Sequence, residues 1–134
     1  MAAAQLILDT DIIIDHLRQR GEALRLVLAK YHCGMTAITL YELLAVPKRS
    51  ERQSLALNNL LNAIQILPFD HSTAKQSADI WRSLSTQGSL IGLPDILTAG
   101  TCLANDLPLL TRNSDHFGRI NRLQLIDPDD LSHL

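Results

Sequence analysis

Aromatic residues and cysteines are scarce in this sequence. One Trp, two Tyr and two Phe occur in 134 residues, although hydrophobic residues as a whole make up 46% of the chain. The core must therefore be built mainly from Leu and Ile, as is usual for the buried parallel strands of α/β proteins. The two cysteines, Cys33 and Cys102, have no metal-binding spacing, so we expect free buried thiols in a reducing cytoplasm rather than a disulfide.

Long apolar runs and an excess of basic residues are also missing. No stretch approaches the ~20 apolar residues that a membrane-spanning helix requires, and residues 1–8 lack the positive charge of a signal peptide. We therefore expect a single domain over residues 1–134, cytoplasmic and without contact to a membrane. The formal net charge of −2 argues against binding nucleic acid by bulk charge, so such a function needs a local basic surface or a metal ion.

The predicted elements alternate between strands and helices. Short apolar runs predict strands over residues 5–8, 34–38, 64–69 and 107–110, with a short edge strand over 123–126. Helical spacing of apolar residues separates these runs, most clearly over residues 22–31, 51–63, 72–87 and 94–105. This alternation is the pattern of an open parallel sheet with helices on its faces.

Local signals predict where the helices begin. Thr10 or Asp11 is expected to cap the first helix, and Thr39 with Glu42 has the form of a capping box. Asp70 or Ser72 is expected to begin a later helix, and Pro94 places Asp95 in the first turn of the helix that follows. Residues 111–117 are expected to form a loop.

Polar side chains follow the predicted strands. Asp9 ends the first strand, Glu42 and Asp95 begin helices, and Asn113 and Asp115 follow the fourth strand. Because the carboxyl ends of parallel strands meet at one edge of a sheet, we expect these side chains to lie together. Crowded carboxylates raise one another's pKa unless a cation joins them, and hard oxygen ligands suit Mg²⁺ or Mn²⁺.

Each of these residues has an ordinary structural interpretation when it is taken alone. Asp9 can cap a helix, Glu42 can complete the capping box, and Asp95 can interact with a helix dipole. Asn113 and Asp115 are common turn residues. The catalytic hypothesis depends on the whole set, placed in order after the strands.

Three blocks of the chain resemble the PIN-domain family, and within it the VapC-type ribonuclease toxins. LILDTDIIID over residues 6–15 is similar to the opening block, and AITLYELL over residues 37–44 is similar to the second. GLPDILTAGTCLANDLPLLTRNSDHF over residues 92–117 resembles the third and fourth blocks, which end in T-R-N-x-x-[DH]-F. The three blocks span nearly the whole chain in the family's order.

The resemblance implies a fold and a set of site residues. The family's fold is a Rossmann-like three-layer α/β/α sandwich, here with a parallel sheet of four to five strands. Asp9, Glu42 and Asp95 would be the acidic triad and the metal ligands, with Asp9 and Asp95 the principal ones. Thr10 and Thr111 would support the site. The family's fourth acid is variable, and Asn113 stands at that position here. Asp115, two residues later, would supply the fourth acid in its place.

The resemblance also implies a function and partners. Its members are divalent-metal-dependent ribonucleases and homodimers, and those of this size are commonly toxins silenced by a cognate VapB-type antitoxin. We therefore expect a Mg²⁺-dependent endoribonuclease, with Mn²⁺ as an alternative metal and larger toxin–antitoxin assemblies as a further form. Because Asn113 replaces an acid, one Mg²⁺ is expected rather than two.

Three other functions stay open at this point. Asp9-Thr10-Asp11 has the D-x-D form of an aspartyl phosphatase, but Lys75 is the only lysine in the second half of the chain, in the middle of a predicted helix. A DNA nuclease could use the same acids, and a non-catalytic binding domain would use them only as caps.

Two basic groups flank the blocks, Lys48-Arg49-Arg52 and Arg112-Arg119-Arg122, and either phosphate contact or solvated surface charge explains them. His116 is expected to pack or cap the final turn.

Overall fold

Five short parallel strands form the centre of the computed structural model, which describes residues 2–133. They are β1 (Leu6–Leu8), β2 (Cys33–Thr36), β3 (Gln65–Leu67), β4 (Leu109–Leu110) and β5 (Leu125–Ile126). Their order in the sheet is β3-β2-β1-β4-β5, and every neighbouring pair is parallel. The predicted parallel sheet is confirmed. β1 lies in its middle, so the residue that follows β1 stands at the centre of the sheet's carboxyl edge.

Seven α-helices connect the strands over the described residues. They are α1 (Thr10–Leu17), α2 (Ala23–Lys30), α3 (Ala37–Leu44), α4 (Glu51–Ala63), α5 (His71–Thr86), α6 (Leu93–Ala104) and α7 (Ser114–Phe117), followed by a 3₁₀ helix at Pro128–His133. The bounds of α4 agree with the prediction, and Ser50 caps it by accepting from the backbone N of Gln53. None of the helices over residues 2–133 is long and apolar enough to cross a membrane.

Side chains of the central strand alternate between two apolar layers. Leu6 and Leu8 belong to a cluster with residues of α1, α2 and α4, whereas Ile7 belongs to a cluster with residues of α5, α6 and α7. Because successive strand residues point to opposite faces of a sheet, the two clusters lie on opposite sides. The expected three-layer α/β/α arrangement is confirmed. Cys33 and Cys102 are buried free thiols, as predicted.

The predicted start of α3 is wrong, and the error changes the interpretation of Glu42. The second strand ends at Thr36, and α3 begins at Ala37. The buried Thr36 hydroxyl caps the helix by accepting from the backbone N of Thr39 at 3.0 Å. Thr39 is therefore inside the helix and forms no capping box. Glu42 lies in the second helical turn rather than the first, so its carboxylate is not a helix cap.

Two other local predictions need correction. Asp9, not Thr10 or Asp11, is the N-cap residue of α1, and its carboxylate accepts from the backbone N of Thr10 at 2.8 Å. The expected loop over residues 111–117 contains the short helix α7, which the fully buried Phe117 anchors in the core. Asp70 is the N-cap of α5, which agrees with one of the two predicted starts.

Candidate active site

Asp9 is the central residue of the carboxyl edge of the sheet. Its backbone N donates to the carbonyl of Leu110, which holds the end of β1 against β4. The residue is only 7% exposed, and both carboxylate oxygens are held: Oδ1 by the backbone N of Thr10, and Oδ2 by the Thr111 hydroxyl at 2.7 Å. The hydrogen bonds to Thr10 and Thr111 therefore fix the carboxylate in one orientation.

The surroundings of Asp9 oppose its negative charge. The pKa of the Asp9 carboxyl is raised from 3.8 to about 7. Burial is the largest cause, and the negative charges of Asp11 and Asp95 also raise the pKa, whereas the hydrogen bonds from Thr111 and Thr10 lower it. None of its hydrogen bonds over the described residues comes from a basic side chain. Asp9 thus lies close to two other acids and is bonded to no basic side chain of the described residues, which is the condition under which carboxylates attract a metal ion.

Glu42 reaches this edge through Thr10. The Thr10 hydroxyl donates to Oε1 of Glu42 at 2.9 Å and lies 3.1 Å from the hydroxyl of Thr39. These contacts join α3 to the first turn of α1, directly beside Asp9. The structure thus brings Glu42 to the predicted edge, although as the acceptor of a threonine hydroxyl rather than as part of a cap.

Asp95 is held on the other side of Asp9 by His116. Asp95 lies in the first turn of α6, as predicted, and its Oδ2 is 3.1 Å from Nδ1 of His116. The same Nδ1 is 3.0 Å from Nδ2 of Asn113. One ring nitrogen can serve only one of these partners at a time. When protonated it donates to Asp95, and when unprotonated it accepts from Asn113.

His116 therefore has a place in the site that the sequence analysis did not assign to it. The side chain was expected to pack or to cap a turn, whereas it links the predicted acid Asp95 to the predicted fourth residue Asn113. The only sequence signal for this was the [DH] of the T-R-N-x-x-[DH]-F pattern. Asp115 is exposed in the first turn of α7. It makes no hydrogen bond or ion pair with the side chains described here.

A second group of polar residues completes the edge on the side of α1. Asp11 Oδ2 accepts from the backbone N of Arg112 at 3.1 Å, while its Oδ1 is buried without a hydrogen-bond partner. Burial raises the pKa of Asp11, against the hydrogen bond and charge of Arg112. Arg112 pairs with both oxygens of Asp15, at 2.8 and 3.1 Å. Asp15 of α1 is therefore half of an ion pair at this end of the edge.

The donor set fits a small hard cation held in part by water. Asp9, Asp95 and Asp11 offer oxygen ligands, and the unpartnered Asp11 Oδ1 shows that the edge has spare acceptor capacity. No group of three or more His, Cys, Asp or Glu side chains within the described part of the chain is close enough to hold an ion by itself. Mg²⁺ is commonly bound by one or two carboxylates with waters completing its shell, so the residues fit that ion better than an all-protein cage. The ligand set of Asp9, Glu42 and Asp95 stays a prediction.

Known proteins are similar to this chain in sequence and in fold. The family model described as the PIN domain matches residues 6–123. The chain is 29% identical over 122 residues to ribonuclease VapC10 of Mycobacterium tuberculosis, covering 89% of this chain and 90% of that protein. It is 26% identical over 125 residues to the tRNA(fMet)-specific endonuclease VapC of Shigella flexneri, covering 90% and 95%.

A solved structure is similar over almost the same range. VapBC-1 from nontypeable Haemophilus influenzae superposes with a TM-score of 0.82 at 26% identity, covering 92% of this chain and 98% of that one. The match of the family model includes Asp9, Glu42, Asp95 and Asn113, the residues that the geometry gathers at the carboxyl edge. The chain therefore belongs to the PIN-domain family, and it is similar over nearly its full length to VapC-type ribonucleases.

Proposed function

We propose that this protein is a Mg²⁺-dependent endoribonuclease and the toxin of a VapBC-type toxin–antitoxin pair. The observation that carries the proposal is the accumulation of Asp9, Asp11 and Asp95 at one edge, with Asp9 buried and no basic side chain bonded to it. The relatives named as ribonucleases and as a tRNA endonuclease support RNA as the substrate. The two free thiols suit the cytoplasm as the place of action.

The side chains divide the work at the edge. Asp9 and Asp95 would hold the metal ion, with Glu42 beside them. When bound, the cation would lower the pKa of a water and offset the charge of the phosphodiester. Thr111 and the backbone N of Thr10 hold the Asp9 carboxylate, while His116 holds that of Asp95. The contacts among these residues keep the two carboxylates in position before substrate arrives.

The test separates RNA cleavage from the other hydrolytic functions. The purified chain is incubated with a single-stranded RNA, a duplex DNA and a small phosphate ester, each with Mg²⁺, with Mn²⁺ and with EDTA. We expect cleavage of the RNA only, dependent on the metal. Hydrolysis of the small ester would point to a phosphatase, and cleavage of the DNA alone to a DNA nuclease. No heat of binding in a Mg²⁺ or Mn²⁺ titration would indicate a non-catalytic domain.

The proposed partner is a VapB-type antitoxin. The similar solved structure is named as a VapBC protein, which supports a two-component system for this chain as well. A basic side chain of the antitoxin could occupy the cation position, because an arginine fork matches carboxylates bidentately.

Expression of the chain alone should arrest growth with loss of intact RNA, and co-expression of the antitoxin should restore growth. A homodimer is part of the same proposal, and light scattering of the purified chain tests it.

The fourth position of the site is expected to be Asn113 rather than Asp115. Asn113 bonds to Thr111 through its backbone and contacts His116 through its amide, whereas Asp115 is exposed. Asn113→Ala should lower the turnover rate at least about tenfold, or about 1.4 kcal/mol of barrier. Asp115→Ala, the matched control from the short helix that Asn113 precedes, should change the turnover rate less. The reverse order of the two variants in one RNA cleavage assay would assign the fourth position to Asp115.

A further inference from the structure

A basic groove lies beside the turn that joins α1 to α2, and we call it the α1–α2 groove. Its outer part has a volume of about 440 Å³. Three basic side chains from three different helices line it, namely His16 of α1, Arg25 of α2 and Arg52 of α4. Residues so far apart in the chain meet here only because the three helices pack on the same face of the sheet.

The positive charge of the outer part is only partly balanced. Arg25 pairs with Glu22, one helical turn earlier, and Arg52 donates to the carbonyl of Leu17 at 2.7 Å, which holds its guanidinium at the groove without neutralising it. Burial lowers the pKa of His16, and the charges of Arg25 and Arg52 lower it further. The lowered pKa favours the neutral imidazole, so the positive charge of the groove comes from the two guanidinium groups, and an anion placed beside them would offset that charge.

The α1–α2 groove continues inward as far as Arg112, a neighbour of the candidate active site. An inner cavity of about 250 Å³ shares His16, Gly21 and Glu22 with the outer part and is also lined by Arg112. Arg112 directly follows Thr111, whose hydroxyl donates to Asp9, and its own backbone N donates to Asp11. The two cavities thus join the three basic side chains to Arg112, one residue from Thr111 of the acidic edge, and Asp15 and Asp129 also line the inner one.

An RNA strand needs attachment away from the acidic edge. Asp9, Asp11 and Asp95 repel phosphates until a cation is bound, and the chain as a whole carries a net charge of −2. Binding must therefore depend on local basic side chains along the path of the strand. Arginine suits this purpose because its planar fork donates to two oxygens of one phosphate.

We propose that the α1–α2 groove binds a backbone phosphate of the single-stranded RNA substrate, on one side of the cleaved bond, through Arg25, Arg52 and His16. The proposal rests on the proposed ribonuclease function, and it assigns the groove to the nucleic acid rather than to an acidic protein partner. The groove would align the strand so that its neighbouring phosphodiester lies over Asp9 and Asp95.

The test measures RNA binding in a variant whose cleavage is expected to be slow. Asp9→Asn serves as the background, and the affinity for a fluorescent single-stranded RNA is measured by anisotropy in Mg²⁺ over a series of salt concentrations. Arg25→Gln is added in one variant and Arg82→Gln in a matched control. Arg82 also pairs with an acid three residues earlier, Asp79, and its side chain is 66% exposed against 69% for Arg25. It lies on α5, whose apolar residues pack on the opposite face of the sheet.

We expect Arg25→Gln to weaken binding about fivefold at low salt and to reduce the slope of log affinity against log salt by about 0.7, the value for one lost contact to a single strand. Arg82→Gln should leave both unchanged. Equal binding by the two variants would overturn the proposal. Arg25-dependent binding of a hexaglutamate peptide with unaltered RNA binding would also overturn it, in favour of an acidic protein partner. Cleavage by the wild type, measured separately, reports whether the ribonuclease function itself holds.

Discussion

Asp9→Asn is expected to lower the rate of RNA cleavage by at least about a hundredfold, or roughly 2.7 kcal/mol of barrier. Asparagine keeps the shape of the side chain. Its oxygen can accept from the backbone N of Thr10, and its amide can donate to the Thr111 hydroxyl, whose proton can turn toward Asp11 Oδ2 at 3.4 Å. The substitution therefore removes the charge that would hold the metal ion while it preserves the hydrogen bonds that hold the fold.

The same substitution should stabilise the metal-free protein, and the gain should depend on pH. The carboxyl of Asp9 ionises near 3.8 in the unfolded chain but near 7 in the folded one. Between those values the folded state binds more protons, so its stability falls as pH rises through that interval. The penalty is absent below 3.8, grows toward 7, and is complete above it. Because Asp9→Asn removes this penalty, it should raise the melting temperature in EDTA by several degrees near pH 8, by less near pH 5, and hardly at all near pH 3.5.

Added Mg²⁺ should reverse the order of the two proteins. An ion that binds only the folded state stabilises it by mass action, so the wild type should gain several degrees and Asp9→Asn little. Asp106→Asn is the matched control, because it also removes one negative charge but lies in an exposed turn where its φ of 53° suits asparagine. If Asp9→Asn melts lower than the wild type in EDTA and still cleaves RNA, Asp9 is only a helix cap and the metal-site interpretation is wrong.

The end of β1 and the position of Asp95 could be predicted from the sequence because local signals decide them. The apolar run before Asp9 and the proline before Asp95 each fix a boundary within a few residues, and the parallel sheet then places both at one edge. The start of α3 could not be predicted in the same way. The sequence predicts Thr39 as the cap, whereas the cap in the structure is Thr36, three residues earlier. Thr36 is the cap because it ends β2, where its register partner is Leu67 of β3.

The contacts around the acids depend on tertiary structure, and no local pattern reports them. Asp95 and His116 are 21 positions apart, and Thr111 and Asp9 are 102 apart, so neither contact leaves a periodic signal. The α1–α2 groove is a similar case. Arg52 was grouped in the sequence with Lys48 and Arg49, whereas the structure places it beside Arg25 and His16. The sequence could predict which residues reach the edge of the sheet, but not which side chains hold them there.

Gly100→Ala is expected to destabilise the protein by about 2 kcal/mol, because it overpacks the contact between α5 and α6. A Cβ at this position would lie 1.9 Å from the Ser77 hydroxyl and 2.9 Å from the Ser77 backbone N. The hydroxyl could turn away, but the backbone can give way only if the helices move apart. Alanine normally favours a helix over glycine by about 1 kcal/mol, so a net loss must come from packing.

Thermal melting of three variants tests this contact. Gly100→Ala should lower the melting temperature by about 5–10 °C, and adding Ser77→Gly should restore part of the loss, because it removes the Ser77 hydroxyl and Cβ from the position of the new methyl. Gly92→Ala, in the turn before the same helix, is the control, since a Cβ there would meet only Pro94 Cδ at 3.9 Å. Because α6 carries Asp95, the displaced helix in Gly100→Ala should also cleave RNA more slowly below its melting temperature. A variant as stable and as active as the wild type would mean that α5 and α6 do not approach this closely.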